Sequence, residues 1–347
     1  MTIAQRLPGV DALKGLACVL IVWHHLAFYG PMSDVVHSAA PWLMDWLYRY
    51  GRMAVQVFLV VSGFLAAASL APQGHAGFQQ PLRLLLKRYR RLALPLVVAL
   101  VITVGVAALV RPWLAHDSVP DAPTLWQVLA HLLLLQDLLG QEALSAGIWY
   151  AAIDFQLFAI TVLILTLVRG ERHRWVVLAL GAASLLMFNR HAGWDMTGVY
   201  FFGSYALGML AWWAVRSEQP ARWLLAIAAL GALALVLDFR GRLLVAVVMA
   251  LLLVWLQREP WAARWLQHPW LLWLGQVSYS VFLIHFAVCL IVNAVVSHFW
   301  PAQLAANTLG LLTAFVLSLL AGNVMYRTVE SPQARWRGLR RTPLALP

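Results

Sequence analysis

The chain has 347 residues, 62% of them hydrophobic and 11% charged, with a formal net charge of +11 and a mean hydropathy of +0.76. So few charges cannot cover so much apolar surface in water, which excludes an ordinary soluble domain and predicts an all-α, polytopic integral membrane protein, a bundle of about ten transmembrane helices. The basic residues lie mostly between apolar runs, so the positive balance reflects membrane topology and not nucleic-acid binding.

The first apolar run predicts a span near 9–29 and contains "GLACVLIVWHHLAFYG", 15–30. It follows Arg6, and "SAA" at 38–40 resembles a signal-peptidase site, but Lys14, Trp23 and two histidines argue for a retained helix. Lys14 and His25 are 11 residues apart, so at about 100° per residue they share one helix face to within about 20°, separated by a rise of about 16 Å. His24 points about 80° away, towards a neighbouring helix. Asp11 lies one turn before Lys14, in position to pair with it. An ionisable group at membrane depth is a functional candidate. The plainer alternatives are a snorkelling lysine and a histidine satisfied by a carbonyl.

The second span, near 53–71, carries Gln56, Ser62 and Gly63 in a bulky apolar helix. Small residues admit a second helix or a ligand, and Gln56 can hydrogen-bond across helices. "RLLLKRYRRLALP", 83–95, leads into a third span near 92–110. Its five cations serve as a membrane anchor or as an anion site; Arg88 and Arg91 lie three residues apart on one face, and Pro95 follows. "LWQVLAHLLLLQDLLG", 125–140, reads as an interfacial or re-entrant helix in the longest loop. The fourth span, near 147–168, buries Asp154, which needs a histidine or arginine partner unless it sits in a wet headgroup region.

Further spans are expected near 175–188, 199–215, 223–237, 243–257, 270–296 and 304–325. The runs at 175–188 and 223–237 are short enough to be tilted or broken. His285, in "SYSVFLIHF", is a functional or a structural hydrogen-bonding histidine. Cys18 and Cys289 lie inside apolar runs and read as buried thiols. No HExxH, Gly-rich phosphate loop or paired-cysteine motif occurs, so a metal site has no positive support.

Alternate loops hold eighteen Lys and Arg residues against six on the other side, which places both termini in the cytoplasm and supports an even number of spans. Residues 1–347 are expected to form a single membrane domain, with 325–347 a short basic cytoplasmic tail.

In sequence order, six segments together resemble the membrane acyltransferase-3 family. Its first helix carries a basic residue, ten intervening residues and a histidine, here Lys14 and His25, preceded by Asp11. Lys14 stands where the family more often has Arg, and keeps the charge without the planar fork. F-x-x-x-S-G-F is matched by Phe58, Ser62, Gly63 and Phe64, and R-x-x-R-x-x-x-P by Arg88, Arg91 and Pro95. W-x-x-x-x-E is matched by Trp149, with Asp154 in place of Glu. "LGQVSYSVFLIHF", 274–286, resembles the family's C-terminal helix with its histidine, His285. "TVESP", 328–332, resembles the closing E-x-P, with Glu330 and Pro332.

The resemblance implies an acyltransferase of the inner or plasma membrane. It would move an acyl group, commonly acetyl, from cytoplasmic acyl-CoA to a hydroxyl of a carbohydrate, antibiotic or lipid-linked cell-envelope acceptor. No bound cofactor is implied. His25 would be the general base, or would carry the acyl group covalently, and Asp154 would orient it. Arg88, Arg91 and Lys14 would meet CoA phosphates, with Asp11, Ser62, Gly63, Trp149, His285 and Glu330 in donor-binding or supporting roles. Some relatives carry an extracellular hydrolase-like domain; the 21 residues after 326 leave no room for one. The alternative is a transporter or flippase using the same intramembrane charges as a path, although paired repeats are not evident.

Overall fold

Proline begins six helices, at Pro8, Pro31, Pro41, Pro81, Pro220 and Pro269. In the first turn its missing N–H costs nothing and its fixed φ suits the helix. The computed structural model describes residues 7–168, 172–259, 261 and 264–331, and every regular element among them is helical. The helices are α1 (Pro8–Phe28), α2 (Pro31–Ala39), α3 (Pro41–Tyr50), α4 (Val55–Leu70), α5 (Pro81–Val110), α6 (Leu125–Leu132), α7 (Trp149–Leu167), α8 (Arg172–Leu186), α9 (Gly198–Arg216), α10 (Pro220–Leu237), α11 (Gly241–Arg258), α12 (Pro269–Phe299) and α13 (Leu304–Met325). A 3₁₀ turn joins α3 to α4, and α13 runs into a π-helical turn, Tyr326–Glu330.

Among the described residues, nine helical segments are long and apolar enough to cross a membrane. The tenth expected span falls on α8, whose 15 residues rise only about 22 Å, less than a hydrocarbon core of about 30 Å. Arg172 and Arg174 inside its first turn shorten the apolar part further. Of the expected basic tail, residues 332–347 lie outside the described residues.

The helices gather into two compact units. The first comprises Met1–Val19, Met53–Arg88 and Trp149–Gln276, the second Leu20–Arg52, Tyr89–Ile148 and Val277–Pro347.

In the first unit α9 is the buried centre, packed by α4, α7, α8, α10 and α11. Gly63 of α4 lies against the Tyr205 carbonyl of α9, and Gly208 of α9 against the Val60 carbonyl of α4. The Ser62–Gly63 pair is thus part of a reciprocal close approach of two backbones. Ser204 Oγ donates to Gln56 Oε1 at 2.6 Å, which gives the polar intruder of α4 its cross-helix partner. α8 is tied to α9 by Ser184, which donates to the Tyr200 carbonyl at 3.1 Å and accepts from Gly203 N–H at 2.8 Å. A Cβ at Gly208 would collide with backbone rather than a flexible side chain. Gly208→Ala is therefore expected to lower stability by about 1–3 kcal/mol in detergent-solubilised protein, read as thermal unfolding. An unshifted transition would contradict this packing.

In the second unit α2 packs on α13, and Trp23 stacks on Phe315 at 5.0 Å. Asn293 of α12 accepts from Met32 N–H at 3.1 Å and donates to the Cys289 carbonyl at 3.0 Å. The run 125–140 is helical only to Leu132. Thr124 and Gln127 form a capping box at its start, whereas Leu134 and Gly140 have φ of 58° and 62° beyond its end. The chain then returns so that Leu144 N–H donates to His131 Nε2 at 3.2 Å, while His131 Nδ1–H donates to the Gln127 carbonyl at 2.7 Å.

Both His131 ring nitrogens are therefore committed in the neutral form, and burial holds its pKa below the ordinary 6.5. The unfolded segment takes up a proton near pH 6.5 and the folded one only at lower pH, so the folded segment loses stability as pH falls below about 6.5. Hydrogen exchange at the Leu144 amide, corrected for its intrinsic rate, should quicken over that range. Constant protection would rule the linkage out.

Candidate active site

The first unit holds a buried ion pair. Asp154 on α7 is 2% exposed. Arg88 on α5 grips it with both arms of its fork: Nη2 lies 2.7 Å from Oδ1 and 2.5 Å from Oδ2, and Nε 3.1 Å from Oδ2. The guanidinium lies over the Phe158 ring at 5.2 Å. One turn before Asp154, the Tyr150 hydroxyl is 3.2 Å from Ser62 Oγ. Trp149 stacks on Phe201 at 5.4 Å. Lys14 Nζ is 3.3 Å from Asp11 Oδ1, the pairing expected from their spacing. The planar fork explains why aspartate suffices where a longer carboxylate was the comparison: an arginine supplies the reach that the shorter side chain lacks.

The second unit holds the histidines. His24 Nδ1–H donates to the Leu47 carbonyl at 3.0 Å, which pins α1 to α3. This accounts for the residue that helical phase directed away from Lys14. His25 Nδ1 lies 2.7 Å from His285 Nε2, with the two rings within 8° of parallel. His285 Nδ1 in turn lies 2.7 Å from the Phe282 carbonyl. A carbonyl can only accept, so His285 Nδ1 carries the hydrogen. Its Nε2 is then a bare acceptor in the neutral ring, and the hydrogen between the two rings sits on His25 Nδ1. His25 Nε2 is left with an unshared pair. The assignment of protons follows from the bonding pattern.

The expectation that Asp154 orients His25 is corrected here. The nitrogen that would face a carboxylate faces His285, and Asp154 is held by Arg88. The physical reason is charge matching: a buried carboxylate is best neutralised by a cation bearing a matching pair of N–H groups, whereas a neutral imidazole needs only one acceptor. Gly147 lies beside the base, and a Cβ there would come 3.1 Å from His25 Cε1. Its φ of 75° also disfavours any other residue. Glu330 accepts from Ser280 Oγ at 2.7 Å and so ties the π-helical turn to α12. Pro332, the last residue of the E-x-P segment, lies outside the described residues.

The candidate residues thus form two groups. Asp11, Lys14, Ser62, Gly63, Arg88, Trp149 and Asp154 belong to the first unit, and His25, Arg91, His285 and Glu330 to the second. Residue-by-residue reading missed Tyr150, Phe158 and Ser280, which carry no unusual residue type for an apolar span. It also missed the acidity of the 111–146 segment, visible as four of the chain's 14 acidic residues: Asp117, Asp121, Asp137 and Glu142.

Fold and sites together define a multi-pass, all-helical membrane protein with polar chemistry inside its helices. The chain belongs to the acyltransferase-3 family: the family model described as an acyltransferase domain matches residues 7–327. Two Staphylococcus aureus proteins, from strains COL and MW2 and provisionally named O-acetyltransferases, are each 22% identical over 371 residues, or 94% of this chain. The chain spans only 57% of the length of those relatives. The Komagataeibacter xylinus protein BcsY, provisionally named a membrane-bound transacylase, is 25% identical over 353 residues, covering 93% of this chain and 83% of its own. The comparison with solved structures finds no match.

Proposed function

We propose that the chain transfers an acyl group, acetyl in the simplest reading, from cytoplasmic acyl-CoA to a hydroxyl of a cell-envelope carbohydrate or lipid-linked acceptor, in the plasma or inner membrane. The observation that carries this reading is the hydrogen-bond chain Phe282–His285–His25, which leaves an unprotonated Nε2 on a buried histidine. The family membership and the names of the relatives support acyl transfer as the chemistry.

In the step proposed, His25 Nε2 takes the acceptor hydroxyl proton as the oxygen attacks the thioester carbonyl. A C–O bond forms, the C–S bond breaks, and the proton passes from His25 to the departing CoA thiolate. His285 holds the ring in the tautomer that makes Nε2 the base, the role a carboxylate plays in other acid–base sites. Arg88 is engaged by Asp154 and Lys14 by Asp11, so in this reading the CoA phosphates fall to the exposed basic residues at the start of α5.

Purified protein in detergent, supplied with acetyl-CoA and a panel of hydroxyl acceptors, should release CoA in step with acetyl ester formation. Absence of acetyl-CoA-dependent ester with every acceptor, from folded protein, would remove the assignment. A transporter reading predicts binding without ester formation in the same assay.

A further inference from the structure

A cavity of about 330 Å³ opens in the second unit. Its wall is built from the loop after α5, the segment before α7, and two aromatic residues, Tyr29 and Phe286. Asp117, Asp121 and Glu142 line it and are solvent-exposed, so they stand at its mouth. Phe286 and Ser145 are each 3% exposed and form its floor. The volume lies at the lower end of the roughly 300–1,000 Å³ typical of small-molecule pockets.

Three features point to a ligand. Ser145 lines the cavity, and its buried Oγ has no hydrogen-bond partner among the described residues. Among the described residues none of the three carboxylates has an ion-pair partner, in a chain with net charge +11. The neighbouring Arg111 donates instead to the Pro120 carbonyl at 2.8 Å. No group of three or more His, Cys, Asp or Glu among the described residues is gathered closely enough to hold a metal, so the carboxylates suit an organic molecule that spans the mouth.

The floor leads to the base. Tyr29 packs edge-on against Phe286 at 5.1 Å and against the His25 ring at 5.6 Å. Ala146 of the cavity wall precedes Gly147, which lies against His25 Cε1.

We propose that this cavity seats the acceptor, and that Asp117, Asp121 and Glu142 select an acceptor carrying a protonated amino group beside the hydroxyl that is acylated. An aromatic floor and a polar group receive the ring, and the carboxylates at the mouth favour cations and repel anions. The proposal rests on the acyltransferase reading for the word acceptor; the cation selectivity of the cavity does not depend on it.

The test uses the full chain in detergent with three probes: methyl glucosaminide at a pH where its amine is protonated, methyl glucoside, and methyl glucuronide. Binding is measured by saturation-transfer NMR and acetyl transfer separately with acetyl-CoA. The glucosaminide is expected to bind about tenfold more tightly than the glucoside, with the glucuronide weakest, because three partly screened charge contacts act together. Asp121→Asn with Glu142→Gln should bring the three probes close together, and Ser145→Ala should weaken all three alike. If the double variant does not fold, salt titration of the unaltered protein serves instead, since screening should narrow the preference. Equal binding of the three probes, or a preference that survives neutralisation or high salt, would overturn the proposal. Acetyl transfer to the glucoside with no cationic preference would leave the acyltransferase reading standing and the proposal refuted. Carboxylate-dependent binding with no transfer to any acceptor would support the cation-selective cavity and count against the acyltransferase reading.

Discussion

Replacing His25 by alanine is expected to abolish acyl transfer, a loss of at least about a hundredfold given what positioned acid–base catalysis contributes, while the protein still inserts and folds. His25 Nε2 is the one nitrogen of the His25–His285 pair with an unshared electron pair and no hydrogen-bond partner among those observed. The variant removes that base, so the loss should fall in kcat. His285→Ala should cost less, because Nε2 survives but the ring loses the acceptor that fixes its tautomer. His24→Ala removes the donor to the Leu47 carbonyl and should lower stability by about 1–3 kcal/mol, with transfer per folded molecule retained. Acyl release and ester formation measured alongside thermal unfolding separate the three. Near-normal ester formation by His25→Ala would refute the base assignment, and equal catalytic loss in His24→Ala and His25→Ala would show that the tautomer argument chose the wrong group.

Asp154→Ala is expected to destabilise the first unit by about 3–5 kcal/mol, because it leaves the Arg88 guanidinium largely buried without its carboxylate. Arg88→Met should cost a similar amount by stranding the carboxylate. The double variant Arg88→Met with Asp154→Leu should recover much of the loss, since apolar groups of similar volume often replace a buried pair at little cost. Thermal unfolding in detergent reads the cycle. The rescued double variant then gives a second measurement, its KM for acetyl-CoA. An unchanged KM fits an ion pair that serves the fold, whereas a raised KM would return Arg88 to the CoA phosphates. If the single variants are as stable as the unaltered chain, the pair carries little of the unit's stability.

Much of the architecture could be read from residue order alone. Apolar runs of about 20 residues predict spans because a backbone in hydrocarbon must satisfy its own hydrogen bonds, and the helix does so locally. The pairing of Asp11 with Lys14 was legible for the same reason: residues three apart on a helix are neighbours whatever the rest of the chain does. The run 125–140 shows where that logic stops. Its apolar residues continue past Leu132, but a histidine that captures the Leu144 amide and two residues with positive φ end the helix early. Those bonds reach across a loop, and periodicity carries no information about them. The short α8 is a related case, in which contacts with α9 supply burial that its own length does not announce.

The chemistry divides along the same line. Residue types and spacing were enough to separate His25 from His24 by helical phase, and to place Arg88, Asp154 and His285 among the polar groups of the spans, because helical phase and the cost of burying charge are local properties. The partnerships were not available at that level. His25 bonds to a residue 260 positions away, and Arg88 to one 66 positions away. Which nitrogen of His25 can accept a proton, and whether Asp154 serves a histidine or an arginine, depend on side chains brought together by helix packing. Spacing along one helix restricts which residues can face a partner; the identity of that partner is set by the packing of the others.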